Sequence, residues 1–156
     1  LYNADEYRFQ IINSSSATII DVIKIGDSAT YTLNEGVYTW QVRAQNATSN
    51  SPYSTRTITV DTTAPAVSVQ SFPDNNDTIT GTDSLDWIPS STTVGDSLFI
   101  YPDSLISAPV YKGYFSTVAY YAYSGTINQD YFWRLKSVDA AGNWSPKGTL
   151  RKFWVK

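Results

Sequence analysis

Tyr131-Phe-Trp-Arg-Leu-Lys-Ser-Val-Asp-Ala-Ala-Gly-Asn-Trp-Ser-Pro146 decides how the rest of the chain reads. Tyr131, Trp133, Leu135 and Ser137 fall at every second position, and Phe132, Arg134, Lys136 and Val138 lie between them. A period of two places the first set on one face of a β-strand, against a core. The run then breaks into Asp139-Ala-Ala-Gly142-Asn143. Asp and Asn bond their own backbone in turns, and Gly tolerates positive φ. A further strand is predicted from about Leu150 to Val155.

The same pattern is written once before. Tyr38, Trp40, Val42 and Ala44 alternate in the same way, and the polar run Gln45–Asn50 leads to Ser51-Pro52 and a strand over Thr57–Val60. Trp40 precedes Ser51 by 11 residues and Trp133 precedes Ser145 by 12. Leu33-Asn-Glu-Gly36 introduces the first copy, and Gly125–Asp130 the second. Two copies about 93 residues apart, with matching punctuation, predict a tandem repeat of one domain type.

These residues carry a resemblance. Leu33…Gly36…Tyr38-x-Trp40-x-Val42-x-Ala44 resembles the strand F signature of fibronectin type III domains. Val138-Asp-Ala-Ala-Gly-Asn143…Ser145-Pro146 resembles the F–G turn of the bacterial, secreted versions of that family. Asp61-Thr-Thr-Ala-Pro65 is similar to the linkers that join such domains, and Pro65 makes it short and stiff. The resemblance implies an all-β chain of two tandem immunoglobulin-like, fibronectin type III-like β-sandwiches, over residues 1–61 and 62–156. It implies that Tyr38 and Tyr131 occupy the tyrosine corner, with the hydroxyl bonded back to the backbone. It also implies that Ser84-Leu-Asp-Trp87-Ile88 is a strand B whose Trp packs into the core. Strand F carries Trp where Val is usual, which suggests a bulky core. The sandwich hosts many unrelated roles, so the resemblance names no activity.

The remaining segments fit that reading. Tyr7, Phe9 and Ile11 alternate within Glu6–Ile12, and Asn13–Ser16 is a turn. Ala17–Ile25 is β-branched, Ala29–Leu33 reads as another short strand, and Val67–Gln70 alternates. Phe72–Asp77 is rich in turn residues, Ser97–Tyr101 is a strand, and Tyr111–Tyr123 holds two short ones. No long stretch shows the 3.6-residue period with caps that marks a helix. Short strands at regular spacing with turns between them predict a sandwich.

Composition narrows the function classes. Net charge is −3 over 156 residues, with no basic stripe, so nucleic acid has no electrostatic footprint here. No apolar run approaches the ~20 residues that span a bilayer, and nothing reads as a signal peptide. Cysteine is absent, so there is no disulfide framework. Methionine is absent too, even at position 1, which reads as a processed chain or a piece of a longer one. Histidine is absent and Glu6 and Glu35 are the only glutamates. Serines and threonines abound without a suitable base in any motif, so the inventory argues against an enzyme. No cofactor is implied.

Candidate residues fall into four groups. Tyr38, Trp40, Trp87, Tyr131 and Trp133 are in phase with apolar neighbours and read as core. Trp144 sits in a loop, and Trp154 is out of phase with Phe153 and Val155; either can stack on a sugar ring or a partner, or cover an edge of its own domain. Tyr111, Tyr114, Tyr120, Tyr121 and Tyr123 form a looser aromatic set, although Tyr is common on strands for packing alone. Asp74, Asn75, Asn76 and Asp77, with Asp61, offer oxygen ligands at a spacing that matches no calcium loop and read as solvated turn, so no metal site is expected. Six of the twelve aspartates precede Ser or Thr, at Ser28, Thr62, Thr78, Ser84, Ser97 and Ser104. This resembles the O-glycosylation signal of exported proteins in some Gram-negative bacteria; it is also ordinary turn-to-strand grammar. Asn-x-Ser/Thr at Asn13, Asn46, Asn76 and Asn143 carries little weight in a bacterial protein.

The expected function is a non-catalytic spacer or adhesion module of a larger exported bacterial surface protein, in one version part of a filament. A carbohydrate-binding module using exposed aromatics is the alternative. A coplanar aromatic pair open to solvent favours binding; covered aromatics favour the spacer. The expected partners are neighbouring domains of the same polypeptide, other copies by strand addition, other surface proteins, or glycans.

Strand accounting adds one expectation. Phe9 precedes Trp40 by 31 residues and Ile100 precedes Trp133 by 33, which places the counterpart of Ser97 near Glu6. Too little chain remains upstream for strands A and B of the first domain, so its core is expected to be open on one side. Those strands come from a preceding part of a longer chain or from a neighbouring copy.

Overall fold

The computed structural model describes residues 4–156. Its contacts divide the chain into two compact units, Leu1–Thr62 and Thr63–Lys156. Both are built of strands and turns.

The first unit is one antiparallel sheet of four strands, β1 (Glu6–Asn13), β2 (Thr18–Lys24), β3 (Gly36–Gln45) and β4 (Ser54–Val60), in the order β2-β1-β3-β4. The β1–β2 hairpin is closed by Asn13, whose side-chain oxygen accepts the N–H groups of Ser15 and Ala17 at 3.0 and 2.9 Å. Arg8 on β1 makes two bonds to the Asp21 carboxylate on β2, and Gln10 makes a third. The opposite face of the sheet is apolar: Phe9, Ile11, Trp40, Val42 and Ile58.

The second unit is a closed sandwich. Its strands are β5 (Val69–Phe72), β6 (Asp77–Ile79), β7 (Ser84–Ile88), β8 (Gly95–Tyr101), β9 (Tyr111–Phe115), β10 (Tyr120–Ala122), β11 (Gln129–Val138) and β12 (Arg151–Val155). A three-stranded sheet, β10-β7-β5, faces a five-stranded one, β6-β12-β11-β8-β9. Only β6 and β12 run parallel. Leu85 and Trp87 from the first sheet meet Leu98, Ile100, Trp133, Leu135, Phe153 and Val155 from the second. Trp133 and Phe153 are wholly buried. The turn after β11 is fixed by Asp139, whose carboxylate accepts the N–H groups of Ala141 and Asn143 at 2.9 Å each. Burial pushes that carboxyl up, but the bonds from Asn143 and Ala141 outweigh it and hold it below its ordinary range. Gly142 sits in the same turn at φ 92°, where a Cβ would be strained.

The registers show how the two units correspond. Ile11 faces Trp40 as Ile100 faces Trp133, and Phe9 faces Val42 as Leu98 faces Leu135. Glu6 therefore stands where Gly95 stands in the second unit. This corrects the sequence alignment, which set Phe9 against Ile100. A shift of two residues keeps every side chain on its face, so periodicity alone cannot detect it.

Two further expectations change. Residues 29–33, expected as a short strand, form none. Strand β10 is held by β7, through Tyr120↔Asp86 and Tyr121↔Leu85, and among its described residues the first unit contains no counterpart of β7. The first unit is thus one sheet of a sandwich, not a sandwich lacking only its two opening strands.

Candidate functional site

The candidate aromatics of the second unit separate into packed and exposed ones. Tyr123 is buried, with ring centroids 5.2 Å from Tyr131 and 5.4 Å from Phe153, both edge-on. Burial raises its phenol above the ordinary range. This removes Tyr123 from the candidate ligand-binding set. Tyr111 and Tyr121 stack at 4.2 Å and 24°, but both are half-buried against the core. Trp144 (41% exposed) and Tyr114 (55% exposed) are open to solvent and touch edge-on at 6.3 Å and 64°. Lys136 Nζ lies 5.1 Å from the Trp144 ring centre. Trp154 is also exposed, level with Asp130, whose carboxylate holds Lys152 at 2.9 Å. Tyr120 points to solvent. The exposed Trp144–Tyr114 pair is not coplanar.

The proposed modification sites separate by burial. Ser28, Thr62, Thr78 and Ser104 are exposed, and Ser84 is half-buried within β7. Ser97 is buried in the middle of β8, between β9 and β11, and a folded domain cannot present its hydroxyl to a glycosyl donor. In the acidic loop, Asp74 pairs with Arg151 at 3.1 Å, and Asp77 accepts the Asp74 N–H. Asn75 accepts the Lys152 N–H at 2.9 Å. These side chains tie the loop to β12.

A buried polar cluster was not visible in the sequence. Asp96 is 2% exposed and accepts from Ser137 Oγ (2.6 Å), Ser68 Oγ (2.7 Å) and Trp87 Nε1 (2.9 Å). It ties β8 to β11, to the segment before β5 and to β7. Gly95-Asp-Ser97 looks like a turn in isolation, and only the converging donors make its burial tolerable. In the first unit Tyr7 takes the place of Asp96 and Ala44 that of Ser137.

The first unit carries a concave feature on its apolar face. A groove of about 630 Å³ runs along the inner face, over Tyr7, Phe9, Ile11, Trp40, Val42 and Ile58. Their counterparts Leu98, Ile100, Trp133, Leu135 and Phe153 are sealed in the second unit, whereas Phe9, Trp40 and Val42 remain half-exposed and Tyr7 is 38% exposed. Trp40 is therefore a groove wall, not a sealed core residue like Trp133. Tyr31 partly roofs the groove, stacked on Phe9 at 5.6 Å and 2°. Tyr38, at the edge of this face, is buried and donates its hydroxyl to the Asn34 carbonyl at 3.0 Å. Tyr131 instead accepts the Thr126 N–H at 3.0 Å.

Known proteins agree on the fold. The FN1-FN3 domains of chicken CNTN1 match with a TM-score of 0.54 at 15% identity, over 97% of this chain and 56% of that one. A two fibronectin type-III domain segment from chicken tenascin matches with a TM-score of 0.42 at 15% identity, over 97% of this chain and 86% of that one. No family model matches the sequence, and no curated protein matches it. The fold is all-β and is similar to that of tandem fibronectin type III domains. No helix among the described residues is long and apolar enough to cross a membrane.

Proposed function

We propose that this chain is a non-catalytic spacer or adhesion module of a larger exported bacterial surface protein. The observation that carries the reading is the tandem pair of units whose polar side chains are spent on structure. Asp96, Asp139, Asp74 and Asp21 each hold neighbouring strands or turns. The absence of His and Cys from the sequence removes the common nucleophile–base pairs. The F–G turn, similar to that of bacterial secreted domains, supports export, and Ser28, Thr62, Thr78 and Ser104 are open to glycosylation. In the filament version, other copies or surface proteins add to the first unit. Antibody labelling of intact cells of the native host tests the location. Labelling without permeabilisation is expected; labelling only after lysis would contradict the reading.

Carbohydrate binding is the second reading, and the exposed Trp144–Tyr114 pair with Lys136 beside it favours it. Glycan-array binding that is lost in Trp144→Ala, with the melting curve unchanged, would support it. No binding at millimolar glycan would remove it.

A further inference from the structure

We infer that the outward face of the second unit's five-stranded sheet binds an acidic polysaccharide, with Lys112, Arg134, Lys136 and Lys147 holding its acid groups and Trp144 and Tyr114 its sugar rings. The inference rests on the carbohydrate-binding reading, and it names the ligand class and the charged half of the site.

The registers place the cations. Leu98, Ile100, Trp133 and Leu135 belong to the core. Phe99 on β8, and Arg134 and Lys136 on β11, alternate with them and face away from it. Strand β9 continues the same face, with Lys112 opposite Phe99 and Tyr114 opposite Ser97. Lys147 reaches this face from the segment between β11 and β12. Its Nζ lies 4.7 Å from the centre of the Phe99 ring, and Lys112 Nζ lies 5.6 Å from the same centre. Phe99 is only 7% exposed, as the stems of these two lysines cover it. Arg134 stands across from Phe99, where its Nη2 donates to the Tyr101 hydroxyl at 3.2 Å. Lys136 follows on the same strand, 5.1 Å from the Trp144 ring centre.

Charge distinguishes this face. Four of the chain's eleven lysines and arginines gather on it, although the net charge is −3. Among the described residues none of the four forms an ion pair; the cations that do are Arg8, Arg151 and Lys152. Lys152, paired with Phe132 on the same face, has Asp130 at 2.9 Å. Surfaces ordinarily intersperse the two signs, and a cluster of one sign repels itself until an anion joins it. The four come from three separate segments across residues 112–147, so no basic run marks them in the sequence.

The neighbouring rings select among anions. Trp144 and Tyr114 border the cluster and are open to solvent, an apolar surface on which a sugar ring can lie. They meet edge-on at 64°, which is unlike the parallel platforms that stack successive bases of a single strand. A duplex is held through many phosphate contacts, and four cations on an acidic chain supply few of them. A polysaccharide with acid groups spaced along it matches both the sparse cations and the rings.

Calorimetric titration of the full chain at low salt tests this with polygalacturonate, dextran sulfate, neutral dextran and a DNA duplex. One or both acidic polysaccharides are expected to bind at least about tenfold more tightly than dextran or the duplex, and to dissociate as salt is raised. The polymer that binds better tells a carboxylated ligand from a sulfated one. Lys112→Gln combined with Lys147→Gln should weaken binding at least about tenfold with the melting curve unchanged. Lys24→Gln, in the other unit, should leave binding as it is. Dextran bound as tightly as the acidic polymers, or a loss in Trp144→Ala without one in the double lysine variant, would overturn the inference and leave the carbohydrate reading standing. Tighter binding of the duplex, or an equal loss in Lys24→Gln, would overturn it as well. No binding of either acidic polymer would also overturn it, and neutral glycans on an array then decide the carbohydrate reading separately.

Discussion

Trp133 and Trp40 hold equivalent positions, and their different surroundings set different costs. Trp133 is sealed between two sheets, so Trp133→Ala should destabilise the second unit by ~3–5 kcal/mol. Trp40 already faces a groove, and Trp40→Ala should cost only about 1–2 kcal/mol in the first unit. Urea titration of each variant checks both values, and equal losses would contradict the assignment of one open and one closed face. Asp96→Ala should cost ~1–3 kcal/mol, because Trp87 Nε1 and two serine hydroxyls lose a buried acceptor. A change below a few tenths would mean that the cluster is replaced by water. At this scale the sequence was informative wherever a long strand fixed the phase, as for Tyr131, Trp133 and Leu135. It failed at Tyr123, which lies just past the three-residue β10, a strand too short to set which tyrosine points inward.

Pairing partners decide the elements, and that explains what the sequence could and could not show. The strands of both repeats were legible because alternation and turn residues are local properties. Residues 29–33 have the composition of a strand, but a strand needs a ladder, and no strand among the described residues pairs with them. Strand β2 stands at the sheet edge and is apolar on both faces, with Ile19 and Ile23 exposed at 45% and 54%. Such edges invite pairing with other chains. Ile23→Lys should raise the concentration at which the chain stays monomeric in sedimentation and leave its melting temperature within about a degree. The β1–β2 pair also carries a pH signature. The bonds from Arg8 and then Gln10 lower the Asp21 carboxyl to about 2 from its ordinary 3.8. A lowered folded value means that the contribution is full above the unfolded value and is lost as pH falls through the folded one. Wild type and Asp21→Asn should therefore differ in denaturant midpoint at pH 5, and the difference should shrink as pH falls below 4 and close only below pH 2. A difference undiminished at pH 2 would rule out the Arg8–Asp21 pair as its source.

Taken whole, the chain carries one closed sandwich and one sheet with an open apolar face, built from the same repeat. The repeat was visible in the sequence, and so was the shortage of opening strands. The extent of the gap was not, because residues 29–33 have the composition of a strand and form none. Native-state hydrogen exchange on the unaltered chain tests this asymmetry most directly, since Trp40 and Val42 on β3 correspond residue for residue to Trp133 and Leu135 on β11. The account predicts that the β11 amides exchange at least about a hundredfold more slowly than their β3 counterparts. Equal protection of the two strands would contradict it.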